Sequence, residues 1–289
     1  MQGVPLSLDH LERVAAWIEG VAGGRGEQRL SEHSFANLYL FRQAHAYRLA
    51  ESPLPAIAGK TYDGVPHLMP LCPLDDAVAV ALLAQAPPDA CLYPIASWQI
   101  EALDARRFAW TDSAADSDYL YPAPQFVSYR GQRLQKMRNQ MRQLLARHTV
   151  KVEPLDPAQA EAVLAGWMRD KGHARGGADE APCREAFGLA RRLGLLGYLY
   201  LVDDRPGGFL IAESLGPGVF VVRFAKGLDC FGGLYPFMFH HFACCHPGPV
   251  RWLNFEQDLG LDNFRRAKRA LQPSGLLRKF RVTLRQPSG

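Results

Sequence analysis

The chain has 289 residues, 48% apolar and 21% charged, which suits one large or two ordinary globular domains and excludes a disordered or fibrous protein. Its net charge of +4 is segregated: residues 1–118 hold 8 basic and 15 acidic side chains, net −7, while residues 119–289 hold 25 and 14, net +11. The start of the chain has no basic n-region, and Asp9, Glu12 and Glu19 argue against a signal peptide. The longest stretch without Asp, Glu, Lys or Arg, Cys230 to Val250, is broken by prolines, glycines and histidines and is no membrane span. Six cysteines without CxxC spacing read as reduced thiols, so a cytoplasmic protein is expected.

In chain order, helices are predicted over Leu8–Ile18 and about Phe35–Ala44, followed by strands at 46–49, 56–61 and 65–69 with Tyr62-Asp63-Gly64 as a hairpin turn. Asp75 begins a helix to about Ala86; a strand at 91–95, a short helix at 98–105 and a strand at 107–110 complete the first part. Residues 112–124 are rich in turn formers and read as a connector. Over 132–148, Leu134, Met137, Met141, Leu144, Leu145 and His148 form an apolar stripe at helical spacing, with the basic residues mainly off it.

The second half alternates again. A strand at 149–152 precedes a helix capped by Asp156 and ending near Asp170. A Gly-rich loop, Gly172 to Ala178, leads to a helix near 184–193. Strands at 197–202, 208–214 and 219–226, joined by short turns, predict an antiparallel meander. Pro236 at a helix N1 position opens a helix to about Cys245. A strand at 250–254, a helix at 262–271 and a final strand at 276–284 close the chain. This order is that of a GNAT-type acyltransferase domain, and residues 1–118 read as a degenerate copy. The predicted architecture is therefore α/β (α+β): tandem GNAT-like domains, 1–118 and 149–289, joined by a connector and long basic helix at 119–148.

The densest polar motif is Asn254-Phe255-Glu256-Gln257-Asp258-Leu259-Gly260, just after the apolar run Val250 to Leu253, with Arg265 and Lys268 three residues apart on the next helix. A strand end feeding a helix is where α/β proteins place chemistry; helix capping with surface ion pairs would produce a similar string. Two basic segments lack acids entirely: Tyr119 to Val152, and everything after Asp262. They suggest a polyanion partner (tRNA, phospholipid head groups or a nucleotide phosphate) against the alternative of a solvated surface. His240, His241, Cys244 and Cys245 pair at i, i+4 in two different directions, so core packing is expected there and no metal site.

Three motifs resemble a known family, that of the C-terminal domain of phosphatidylglycerol lysyltransferase. Ser34-Phe35-Ala36-Asn37-Leu38-Tyr39-Leu40-Phe41-Arg42 resembles its F-x-N-L-Y-x-W/F-R opening. Gly131, Leu134, Lys136, Arg138 and Asn139 resemble its G-x-x-x-x-K-R-N helix start, with Met137 inserted between the basic pair. Asn254 to Gly260 with Arg265, Lys268 and Pro273 resembles its closing N-x-E-Q-D-L-G…L-R-x-x-K…P. The resemblance implies a tandem GNAT fold and transfer of an aminoacyl group from charged tRNA to a lipid hydroxyl. Departures are Ala225-Lys226, where many relatives have Glu-Lys, and Leu271-Gln272, where an aromatic usually precedes the closing Pro.

Acyl transfer needs a bound donor, an acceptor that loses a proton, and oxyanion stabilisation. The loop Asp229 to Tyr235 would be the coenzyme A cradle of an ordinary GNAT enzyme; Gly232 and Gly233 permit backbone approach, but no Arg or Gln stands at the expected position. For an aminoacyl-tRNA donor, Lys226, Arg265 and Lys268 are candidates for phosphate contacts, and Glu256 or Asp258 for the α-ammonium or as a base. The expectation is an aminoacyl- or acyltransferase without cofactor or metal. Glu256, Asp258 and Lys268 are its catalytic candidates; Asn254, Gln257, Arg265, Lys226, Gly232, Gly233, Lys136, Arg138 and Asn139 are its binding candidates. The partners expected are aminoacyl-tRNA or acyl-CoA and a lipid or small-molecule acceptor, with peripheral contact to anionic membrane and no DNA. The alternatives are an acyl-CoA-dependent N-acyltransferase and a non-catalytic binding module for tRNA or anionic membrane.

Overall fold

The computed structural model describes residues 3–51, 53–174, 177 and 179–285. In chain order the elements are β1 (Val4–Pro5), α1 (Leu11–Ala22), α2 (Phe35–Leu40), β2 (Arg48–Ala50), β3 (Ala56–Lys60), β4 (Pro66–Pro70), α3 (Asp76–Leu83), β5 (Cys91–Ala96), α4 (Ser97–Ile100) and β6 (Phe108–Asp112). Then come β7 (Asp118–Pro122), α5 (Pro124–Ser128), α6 (Gln135–Arg147), β8 (Val150–Pro154), α7 (Pro157–Asp170), α8 (Glu180–Leu189), β9 (Leu195–Val202), β10 (Arg205–Gly216) and β11 (Val219–Gly227). The chain closes with α9 (Leu234–Cys245), β12 (Trp252–Asn254), α10 (Asp262–Ala270), β13 (Gly275–Leu277) and β14 (Lys279–Leu284). Side-chain caps start three helices. Ser34 Oγ accepts from Asn37 N–H at 3.2 Å, Asp75 from Val78 at 2.8 Å and Asp156 from Gln159 at 2.8 Å, each satisfying one orphan donor.

Two seven-stranded sheets result, ordered β1-β2-β3-β4-β5-β14-β6 and β13-β7-β12-β11-β10-β9-β8. They share one plan. An antiparallel meander (β2-β3-β4; β9-β10-β11) is followed by a helical crossover to a parallel neighbour (β4 with β5; β11 with β12), itself flanked by an antiparallel strand (β14; β7). The chain divides into two compact units: Met1–Asp118 with Gln257–Leu261 and Leu276–Gly289, and Tyr119–Glu256 with Asp262–Gly275. The core of the first includes Leu68, Leu92, Ile95, Phe108, Phe280 and Val282. That of the second is strongly aromatic, with Tyr121, Phe126, Tyr129, Phe239, Phe242 and Phe255. No helix among the described residues is long and apolar enough to cross a membrane.

Several elements differ from the sequence expectation. The predicted connector contains β7, whose Tyr119, Leu120 and Tyr121 are all buried; the turn formers on both sides hid a strand covered on both faces. Helix α6, expected as a link between domains, lies in the second unit and packs on α9, with Leu134 and Leu144 in the aromatic core and Leu145 48% exposed. Pro236 is the third residue of α9, because Gly233 is its N-cap. The single strand expected at 276–284 is two, β13 and β14, and β14 inserts between β5 and β6 of the first sheet instead of closing the second. Of the expected loop at 172–178, Arg175, Gly176 and Ala178 lie outside the described residues.

Candidate functional site

In the second unit, β11 and β12 run parallel through Val219↔Trp252, Phe220↔Leu253 and Val221↔Asn254. There β12 ends, while β11 continues to Gly227. The carboxyl ends of parting parallel strands are where open α/β sheets hold ligands. At this level the β10–β11 register slips from Ala212↔Val222 to Ile211↔Phe224, leaving Arg223 as the extra residue of a β-bulge. Bulges re-aim side chains, and the fully buried Arg223 reaches Glu213 at 2.7 Å and Glu256 at 2.5 Å. Burial opposes its charge, but the two carboxylates outweigh burial and raise its pKa.

Glu256 follows β12 with φ +56°, a left-handed backbone uncommon for a residue with a side chain. Its neighbours hold it there. Asn254 Oδ1 accepts from Glu256 N–H at 2.7 Å, and Lys268 Nζ donates to the carbonyls of Phe255 at 2.6 Å and Glu256 at 3.1 Å. Tyr121 in turn donates its hydroxyl to the Lys268 carbonyl at 2.8 Å, and Lys268 Nζ lies 5.6 Å from the Tyr119 ring centroid. Asn254, Glu256 and Lys268 thus come together, with the Glu256 carboxylate 17% exposed and Lys268 fastening the turn that presents it.

The rest of the closing motif goes elsewhere. Gln257 and Asp258 belong to the first unit. Asp258 is fully buried and accepts from Gly260 N–H at 2.8 Å, so it stabilises the turn that follows it. Gln257 accepts from Lys279 Nζ at 2.8 Å. Glu256 and Asp258, the two alternatives for holding the α-ammonium or acting as base, therefore belong to different compact units. Arg265 pairs with Asp262 at 3.5 Å across one turn of α10, as a surface ion pair.

Lys226, expected as a phosphate contact, sits 2.7 Å from Asp179 and 3.8 Å over the Trp167 ring, where charge and π-face both hold it. Tyr235 Oη accepts from Trp167 Nε1 and from Gly227 N–H, each at 3.1 Å. Gly233 adopts φ +97°, and a Cβ there would meet the Gln140 carbonyl of α6 at 2.2 Å; α6 uses this glycine for close approach, where a phosphate cradle was expected. Gly232 has open space instead. Arg138 donates to the carbonyl oxygens of Tyr129 at 2.5 Å and Gly131 at 3.4 Å and acts as a brace before α6. Lys136 and Asn139 are exposed and share an open surface of α6 with Gln132, Arg133, Gln140 and Gln143.

Two buried ionic centres escaped the sequence reading. One is Arg223 with its carboxylates. The other, in the first unit, is Lys279, fully buried at 2.6 Å from both Glu32 and Asp118. Ser31 ties in through its N–H and hydroxyl to Asp118 at 2.8 and 3.0 Å. Burial, and then the repulsion of Asp118, raise the Glu32 pKa against the pull of Lys279. The signal for the first was a lone cation in an apolar run, Val221-Val222-Arg223-Phe224; Lys279, between Arg278 and Arg281, gave no such signal. Cys244 Sγ lies 3.6 Å from His240, while His241 meets the Tyr200 hydroxyl at 3.0 Å. Among the described residues no group of three His, Cys, Asp or Glu side chains is arranged to hold a metal ion.

Residues 25–283 match the model of the family described as phosphatidylglycerol lysyltransferase, C-terminal. The chain belongs to that family. Membership supports an acyltransferase, and the two sheets are each of a GNAT-like kind. Among solved structures, a conserved protein of unknown function from Bacteroides thetaiotaomicron VPI-5482 is similar at TM-score 0.83 and 22% identity, covering 99% of this chain and 100% of its own. The C-terminal domain of a putative lysylphosphatidylglycerol synthetase from Agrobacterium fabrum follows at 0.59 and 13%, covering 97% and 93%. The L-PGS of Bacillus licheniformis aligns at 0.60 and 11%, covering 100% and 95%. These likenesses establish the fold. Among curated proteins nothing matches the chain.

Proposed function

We propose that this protein is an aminoacyltransferase that moves an aminoacyl group from aminoacyl-tRNA to a hydroxyl or amine acceptor by direct attack. The acceptor oxygen or nitrogen bonds to the ester carbonyl carbon, the bond to the ribose oxygen breaks, and the acceptor proton passes to that leaving oxygen. One observation carries the reading. Glu256 and Glu213, both partly exposed at 17% and 12%, share the buried Arg223 at the parted ends of β11 and β12. A partly exposed carboxylate at that position suits the α-ammonium of an aminoacyl ester, which acetyl-CoA lacks. Family membership supports the same chemistry, and a lipid hydroxyl is the acceptor class that the family's description suggests. The exposed face of α6, with Arg133, Lys136, Asn139 and no acid on the helix, suits the phosphates of the tRNA acceptor arm. Gly233, committed to α6, weakens the coenzyme A reading.

The test supplies tRNA charged with labelled amino acid together with phosphatidylglycerol vesicles or small amine acceptors. Label should reach an acceptor, and Glu256→Gln, which keeps an acceptor for Arg223 but removes the charge that would hold the ammonium, should lower kcat/KM for charged tRNA about 10–100-fold. Arg133→Glu with Lys136→Glu should raise KM for tRNA and flatten its salt dependence. Transfer from acetyl-CoA with no response to charged tRNA would establish the coenzyme A alternative. Binding of tRNA or vesicles without turnover by either donor would leave a binding module.

A further inference from the structure

Helix α10 has no buried residue among its nine, yet one side of it is fixed. Lys268 Nζ donates to the carbonyls of Phe255 at 2.6 Å and Glu256 at 3.1 Å, and Tyr121 donates its hydroxyl to the Lys268 carbonyl at 2.8 Å. The helix is thereby tied to the turn that presents Glu256. Helical spacing sorts the remaining residues. Phe264 and Ala267, three apart, share one side, and Arg265, Arg266 and Arg269 fall on the opposite one. Phe264 is 37% exposed, and Leu261, the residue just before the helix, is 47% exposed. Large apolar side chains thus stand in water at the start of a helix that is otherwise strongly basic.

The charge on α10 has one sign to offer. Asp262 is its only acid, against Arg265, Arg266, Lys268 and Arg269, and no acid follows in the sequence. Asp262 lies 3.5 Å from Arg265, and its carbonyl accepts from Arg266 Nε at 3.3 Å. Arg266 and Arg269 are exposed, and neither is in an ion pair among the described residues. A short helix with arginines on one side and an exposed aromatic on the other has the composition of a segment that lies in the head-group plane of an anionic bilayer. The arginines meet lipid phosphates, and the apolar side enters the acyl boundary. A tRNA backbone would use the same arginines but leave Phe264 in water. Position favours the bilayer as well, because about 10–12 Å, one helix diameter, is all that α10 sets between a docked surface and the Glu256 turn.

We propose that the exposed surface of α10, with Phe264, Arg266 and Arg269, docks the protein on an anionic phospholipid bilayer and so delivers the lipid acceptor to Glu256. This docking role rests on the lipid acceptor proposed above, and vesicle binding can be measured without transfer. The full chain is sedimented with vesicles of equimolar phosphatidylglycerol and phosphatidylcholine, and with vesicles of phosphatidylcholine alone. It should bind the first and not the second. Arg266→Gln with Arg269→Gln should weaken binding about 25-fold, about fivefold for each charge, with Tm unchanged. In Phe264→Trp, emission should shift to the blue on the anionic vesicles and be quenched by brominated acyl chains beyond the quenching of the wild-type tryptophans. Equal binding to both vesicles, undiminished affinity in the arginine variant, no added quenching at position 264, or loss of tRNA binding in place of vesicle binding would each overturn the surface. The two proposals fail separately. Wild-type rates of transfer to vesicle phosphatidylglycerol by the arginine variant would remove the docking role and keep the acceptor. Vesicle binding that weakens in the variants as stated, with no transfer to lipid by any form, would remove the acceptor and keep the surface.

Discussion

Arg223 and Lys279 are both wholly buried, and each is answered by two carboxylates within 2.7 Å. Such trios contribute little net stability, because desolvation consumes most of the Coulomb attraction, yet removing one partner leaves an uncompensated charge that costs about 3–5 kcal/mol. Their value is positional: Arg223 aims Glu256, and Lys279 holds Gln257. The buried histidines add a pH dependence. His33 and His67 both have pKa values lowered to about 3, chiefly by burial, against an ordinary value near 6.5. The unfolded chain therefore takes up protons that the folded chain refuses, and their contribution is complete above pH 6.5 and falls as pH drops toward 3. Urea midpoints measured from pH 7 to pH 4 should decline, and the decline should be shallower in His67→Phe.

At the scale of elements, the close approach of α6 to α9 depends on one glycine. Gly233→Ala puts a Cβ 2.2 Å from a backbone carbonyl that has no freedom to swing away, at a φ of +97° unfavourable to any L side chain. A loss of about 2–4 kcal/mol in chemical denaturation is expected, whereas Gly232→Ala, with open space around it, should cost far less. Elements with strong local signals were legible beforehand: the meander β9-β10-β11, the helix capped by Asp156, and the hairpin at Thr61 to Gly64. What escaped depended on distant partners. Strand β7 lay among turn formers, and nothing near Lys279 announced that its strand pairs with β5. In the closing motif the density of polar groups was read as a site, and most of those groups fasten turns. Asn254, Asp258 and Lys268 hold backbone, and Glu256 alone of the candidate acids is partly open.

For the molecule as a whole, the two sheets repeat one plan although no repeat is evident along the chain, since their likeness lies in strand direction and order more than in residue identity. The second sheet is built from one unbroken run, β7 to β13, whereas the first takes a strand from outside its own run. β7 precedes the meander that it joins across β12, and β14 returns after the second unit to sit between β5 and β6. Ending the chain at Gly275 would split the first sheet and remove Phe280 and Val282 from its core, along with the partner of Glu32 and Asp118. Limited proteolysis of that truncation should degrade the first unit rapidly and leave a resistant fragment from about residue 119 onward. During synthesis the same topology imposes an order. The first unit's early strands leave the ribosome before the second unit but wait, with their sheet open and Glu32 and Asp118 without Lys279, until β14 has been translated. A nascent chain stalled just before β14 would therefore carry a finished second unit and an unfinished first.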